Sequence, residues 1–238
     1  MDTSHSPPAQ YLWHLLTRLG EAQILLPVMA AMLAWLVFHP TSRPLAWRWC
    51  TGTAAAALLT TGTKVAFIGF GWGLASIDFT GFSGHAMFSA AILPWLLALL
   101  PLYRRPRVTG LDLLPGAGLA LLIAVSRVEV GAHSWSEVVL GGLLGWGISL
   151  WTLAVPGGAQ RPTQVSKLAV ALTTAWLLLL PVHAPASHSH GWVTSLSLRI
   201  ARHSHPYTRE HLQREQHRSQ FRPHADMASL APRPARTA

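Results

Sequence analysis

Charge is scarce in this chain. Asp, Glu, Lys and Arg make up 11% of its 238 residues, against about 25% in an ordinary soluble domain. Acids are scarcer still, nine Asp and Glu against eighteen Lys and Arg. Cysteine is nearly absent. Cys50 stands alone, which excludes an intrachain disulfide. No internal repeat organises the chain, and no small-x-small cleavage site follows its first apolar run. That run therefore reads as a span and not as a cleavable signal peptide.

What fills the sequence instead is apolar: half of the residues are hydrophobic. They collect in long runs, Ala22–Phe38, Trp49–Phe70, Ala86–Tyr103, Leu111–Val125, Val138–Val155 and Val165–Val182. Each approaches the roughly 20 residues that carry a helix across a bilayer. The runs are apolar all round, whereas a helix of a soluble bundle keeps one polar face. The expected fold is all-α, an integral-membrane bundle of about six transmembrane helices. Trp47, Trp49, Trp72, Trp135 and Trp192 fall near run ends, where an interfacial aromatic belt places them; packing between helices is the alternative.

Three segments follow from the composition. Residues 1–21 are polar and then amphipathic, with Tyr11, Leu12, Trp13, Leu15 and Leu16 suited to the membrane surface. Residues 22–183 form the transmembrane core. Residues 184–238 hold eight of the eighteen Lys and Arg and seven of the thirteen histidines. Such a basic tail either binds anionic headgroups or nucleic acid, or is solvated disordered chain. Its poverty in large apolar residues favours disorder, and no nucleic-acid partner is expected. His188-Ser189-His190 and His203-Ser204-His205 suggest metal affinity, a weak signal without a scaffold or further ligands.

The connections alternate in charge. Arg43 and Arg48 lie in one, Arg104, Arg105 and Arg107 in another, Arg161 and Lys167 in a third. The opposite connections, Gly71–His85 and Ser126–Glu137, carry only Arg127. The positive-inside rule puts the first set in the cytoplasm. The second set then faces the periplasm or exterior of a cell inner (plasma) membrane. Six spans would also put the basic tail outside, against the same rule.

Polar islands interrupt the apolar pattern at the ends of the runs. Lys64 lies near the end of the second run. It is costly in lipid unless it snorkels or meets a partner. Ser83-Gly84-His85 opens the third run, where N–H groups at a helix start favour an anion; a simple helix cap is the plainer reading. Ser126-Arg127 ends the fourth run, and His133 and Glu137 follow four residues apart. That spacing puts both on one helical face, so the carboxylate can accept the imidazole Nδ1 proton and leave Nε2 free. A helix-start Glu with Ser134 as its cap is the bland alternative. Asp78 and Glu129 are nearby acids, able to orient Lys64 or Arg127 or simply to be solvated.

Together these residues resemble the type 2 phosphatidic acid phosphatase superfamily. Its signature is K-x6-R-P, then P-S-G-H, then S-R-x5-H-x3-D. The third part reads S-R-V-E-V-G-A-H-S-W-S-E here, Ser126 through Glu137, and the second reads F-S-G-H, Phe82 through His85. In the first, Lys64 matches, while Gly71-Trp72 stands where Arg-Pro is expected. The resemblance implies a membrane phosphatase acting on a lipid phosphate or diphosphate, with no cofactor and no metal. His133 would be the nucleophile, Glu137 its orienting partner and His85 the general acid. Lys64, Arg127, Ser83 and the Gly84 N–H would hold the phosphoryl oxygens. The alternatives are a lipid phosphotransferase, or a non-catalytic lipid-binding or transport component on the same helices.

Overall fold

A computed structural model of the chain describes residues 7–99, 107–156, 158–159, 167–185, 187, 189–214 and 216–218. Among these residues the fold is helical and has no strand; Leu74 and Phe79 form an isolated bridge. The helices are α1 (Pro7–Leu19), α2 (Ala22–Val37), α3 (Arg43–Phe70), α4 (Gly84–Ala98), α5 (Gly110–Glu129), α6 (Trp135–Leu153), α7 (Lys167–His183) and α8 (Ser189–Ala201).

Each of the six apolar runs becomes a helix, α2 to α7. Four stretches among the described residues are long and apolar enough to cross a membrane: Gln10–Val37, Pro40–Phe70, Gly110–Glu129 and Trp135–Leu153. Gly84–Ala98 and Val170–His183 are shorter. At 1.5 Å per residue, α4 spans only about 22 Å. It is the hub of the bundle, packed on α5 and α6, and nearly all of it from Ala86 to Leu99 is buried.

Small residues bring α6 close to α4. A Cβ on Gly141 would stand 2.6 Å from the Ser83 carbonyl oxygen, and one on Gly145 would stand 2.2 Å from that of Met87. The Gly141/Gly145 pattern is thus a packing device. Pro94 lies inside α4 and lacks the N–H that would bond the Ala90 carbonyl. Ser149 on α6 donates its hydroxyl to that carbonyl at 2.8 Å. The next carbonyl, of Ala91, accepts the Trp49 indole N–H at 2.8 Å.

Trp49 is therefore a core residue and not part of an interfacial belt, whereas Trp47, Trp72, Trp135 and Trp192 are exposed. Large apolar side chains such as Leu58, Leu111, Leu121, Leu143 and Leu178 also face outward. That outer surface suits lipid and would be a liability in water.

Two terminal segments differ from the sequence reading. The α1 segment does not lie apart on a surface: its C-terminal end packs on α5, with Thr17, Gly20 and Glu21 buried. The tail expected to be disordered from 184 contains α8, which packs along α3. Gly69 makes this possible, since a Cβ there would stand 3.1 Å from the Ser197 carbonyl oxygen. The chain then crosses the end of α3, where the Tyr207 N–H donates to the Ile68 carbonyl at 3.0 Å. The remaining tail, 219–238, lies outside the described residues, as do Arg104, Arg105, Arg161 and His188.

Candidate active site

The C-terminal ends of α3 and α5 and the N-terminal ends of α4 and α6 meet at one end of the bundle. They surround a cavity of about 630 Å³. Lys64, Gly84, His85, Arg127, His133 and Glu137 all line it. Arg43, Arg48 and Arg107 lie near the opposite helix ends. Arg48 stacks 4.6 Å from the Trp151 ring there.

Local structure places each group. Helix α5 ends after Glu129, and Gly131 takes a left-handed φ of 68°. The chain then turns back so that the Ala132 and His133 N–H groups both donate to the Arg127 carbonyl, at 3.0 and 3.2 Å. This return brings Arg127 and His133 to the same cavity despite their separation in sequence. Ser134 then caps α6 in a reciprocal box with Glu137. Its N–H donates to Glu137 Oε2 at 3.2 Å.

Glu137 does more than cap. Its side chain is fully buried, and Oε2 lies 2.6 Å from His133 Nδ1. A carboxylate only accepts, so Nδ1 carries the proton and Nε2 keeps its lone pair. Oε1 accepts the Thr80 N–H at 2.9 Å and the Thr80 hydroxyl. The bond to His133 and the α6 cap therefore coexist in one residue. Burial lowers the His133 pKa below the ordinary histidine value, more than the hydrogen bond to Glu137 raises it; Lys64 and Arg127 push it the same way as burial.

Arg127 is held from the N-terminal side of the chain. Its Nη1 donates to Thr17 Oγ1 on α1 at 2.8 Å. Its Nε is buried with no partner among the described residues. The Thr60 hydroxyl, on a residue that also lines the cavity, is likewise unpartnered. Such donors are costly to leave unpaired, and an anion would satisfy them.

Ser83 stands apart from the other predicted residues. It is fully buried, and its hydroxyl accepts from the Ala86 N–H at 3.5 Å as the N-cap of α4. Its own N–H donates to the Glu137 carbonyl at 3.1 Å. It shapes the cavity wall without lining it. Asp78 pairs with neither Lys64 nor Arg127; its partner is Arg209. Among the described residues no cluster of three or more His, Cys, Asp or Glu is placed to share a metal ion.

Sequence reasoning missed Thr17, Thr80 and Arg209. Each is remote in sequence from the group it touches, and none belongs to an interrupted apolar run that would have drawn notice. Arg209 donates from Nη2 to Glu137 Oε1 at 2.9 Å and pairs through Nη1 with the Asp78 carboxylate.

Residues 45–161 match the PAP2 superfamily. A protein described as an uncharacterized 22.5 kDa protein in the cps region of Klebsiella pneumoniae is 38% identical over 133 residues. The match covers 56% of this chain and 64% of that protein, so the chain spans less than two thirds of that relative's length. No solved structure matches the chain.

Proposed function

Since the chain belongs to the PAP2 superfamily through residues 45–161, we propose that it is an integral-membrane phosphatase that hydrolyses a lipid phosphate or diphosphate through a phosphohistidine. Membership by itself supports a phosphatase-type activity in general. The observation that carries the finer reading is the His133–Glu137 pair at 2.6 Å, set in one cavity with Lys64, His85 and Arg127.

In this mechanism the Nε2 lone pair of His133 attacks phosphorus, and the bond from phosphorus to the leaving oxygen breaks. His85, protonated in the field of the bound phosphate, gives that oxygen its proton. The resulting neutral His85 takes a proton from water as the water oxygen attacks phosphorus. The P–N bond breaks, inorganic phosphate leaves, and His133 returns to its starting tautomer. Lys64, Arg127 and the Gly84 N–H neutralise the charge that builds on the phosphoryl oxygens. These groups supply the charge stabilisation without a metal.

Placement supports a lipid substrate. The cavity opens at one end of a bundle whose outer face is apolar, so a substrate can keep its tail in the bilayer while its headgroup enters. Undecaprenyl diphosphate, phosphatidate, phosphatidylglycerol phosphate and the phosphates of lipid A fit this description. The cavity is assigned to the periplasmic or exterior side of the inner (plasma) membrane, because Arg43, Arg48 and Arg107 gather at the other end.

The test is phosphate release by purified protein from a panel of these lipids, with EDTA present. The expected result is turnover that His133→Ala abolishes. Binding without turnover would favour the non-catalytic alternative. Phosphoryl transfer to a second lipid would favour a transferase. Full activity of His133→Ala would remove the nucleophile assignment.

A further inference from the structure

We propose that the C-terminal strap Pro206–Arg209 is a working part of this site, with Arg209 the positioning residue that fixes the carboxylate orienting His133. The inference rests on the phosphatase reading for its consequence in turnover, and on geometry alone for its structural content.

The strap is built into the bundle. Gly71 ends α3 with a left-handed φ of 71°, and a Cβ there would stand 3.0 Å from the Tyr207 ring. Position 71 is thus shaped to receive that ring. Tyr207 is pinned from the other side by its N–H bond to Ile68. Beyond it, Gly73 approaches Leu212, where a Cβ would stand 3.0 Å from the leucine methyl. Pro206, Tyr207, Thr208 and Arg209 all line the cavity.

Arg209 uses this anchorage to span two carboxylates. One arm of its guanidinium meets Asp78, held at a left-handed φ of 52°. The other meets Glu137 Oε1 at 2.9 Å, while Oε2 of the same carboxylate meets His133 Nδ1 at 2.6 Å. The planar fork holds one bond to each carboxylate at a fixed spacing, in a way that a point charge would not. A glutamate here is one methylene longer than the aspartate of the signature and has one more torsion to fix. Thr80 and Arg209 together fix it.

The charges facing His133 come from every element around it. They are Lys64 on α3, His85 on α4, Arg127 on α5 and Glu137 on α6, with Arg209 of the strap paired to Glu137, Asp78 behind Arg209, and His190 of α8 lining the same cavity. Arg209 offsets the negative charge of Glu137 and so disfavours the imidazolium. Its removal must favour imidazolium.

The experiment compares wild type, Arg209→Gln and Arg209→Lys as full chains in detergent micelles. The ring of His133 is titrated by NMR on histidine-labelled protein, its signal assigned by loss in His133→Gln. Removing the charge in Arg209→Gln is expected to move the His133 midpoint up by about half a pH unit or more. Arg209→Lys, which keeps the charge, should stay near wild type. In phosphate release, Arg209→Gln should lower kcat about 10- to 100-fold with little change in KM, consistent with an orienting role. Arg209→Lys should recover only part, because it lacks the fork. An unchanged His133 midpoint in folded Arg209→Gln, with kcat within twofold of wild type, would overturn the proposal. The titration needs no turnover, so a wild-type protein that releases no phosphate would sink the phosphatase reading and leave the Arg209 result to be judged on its own.

Discussion

Arg127 Nη1 donates to Thr17 Oγ1 across 2.8 Å, joining the last turn of α5 to α1. The bond crosses more than a hundred residues of sequence and fixes a guanidinium whose Nε has no partner among the described residues. Thr17→Val keeps the shape and removes the hydroxyl. A hydrogen bond to a charged group is worth roughly 1.5–3 kcal/mol when intact. Part of that loss is recovered by water, so kcat/KM should fall about 5- to 20-fold. Steady-state phosphate release checks this. No change would mean that Arg127 is positioned without α1.

Glu137→Gln keeps the volume and the α6 cap but replaces an acceptor oxygen with a group that donates. The His133 tautomer is then no longer dictated. By the logic of an orienting carboxylate, kcat should fall on the order of 10²- to 10⁴-fold while the protein still folds. Activity within tenfold of wild type would show that Glu137 is only a cap.

The pH dependence follows from the same pair. In the proposed mechanism His133 attacks as the neutral imidazole, so activity is expected to be lost as pH falls through its folded-state pKa. Burial lowers that pKa below the ordinary value of 6.5. The acid limb of kcat/KM, which reports the free enzyme, should therefore lie below pH 6.5. A limb at or above that value would mean that the Glu137 bond, which raises the pKa, outweighs burial.

Two glycines two residues apart on α6 should behave oppositely. Gly145 faces α4, and an added Cβ would meet the Met87 carbonyl oxygen at 2.2 Å, whereas Gly147 meets nothing within 4 Å. Gly145→Ala should destabilise the protein by about 1–3 kcal/mol through overpacking. Gly147→Ala should be neutral or stabilising by up to ~1 kcal/mol through helix propensity. Thermal unfolding in detergent distinguishes them; equal loss at both would mean that the α4–α6 contact is not as close as described.

Much of this was legible in the linear order of residues. Each of the six apolar runs contributes a helix among the described residues, and four helical stretches are long enough to cross a membrane, because a long apolar stretch with little charge satisfies its backbone in lipid as a helix. Lys64, His85, Arg127, His133 and Glu137, which line one cavity, stand out in the sequence because each breaks an apolar pattern near a helix end. Ser83 is harder to read, because a cap and a phosphate donor look alike at a helix start; its hydroxyl is buried and accepts from the Ala86 N–H. The core position of Trp49 and the helix within 189–201 have one reason for being hard to read in sequence. Interfacial tryptophans and packed ones look alike in composition, and a segment with few large apolar residues can still dock where glycines open a groove.

The sequence by itself determined an apolar helical chain and a set of polar groups at spacings suited to phosphoryl chemistry, since local periodicity and short-range order carry that information. The tertiary structure alone decided which remote residues complete the site. Thr17, Thr80 and Arg209 reach Arg127 and Glu137 only because the helix ends converge and a C-terminal strap crosses α3. Contacts that close such long loops follow from packing of the whole bundle and leave no local signature for a linear reading to find.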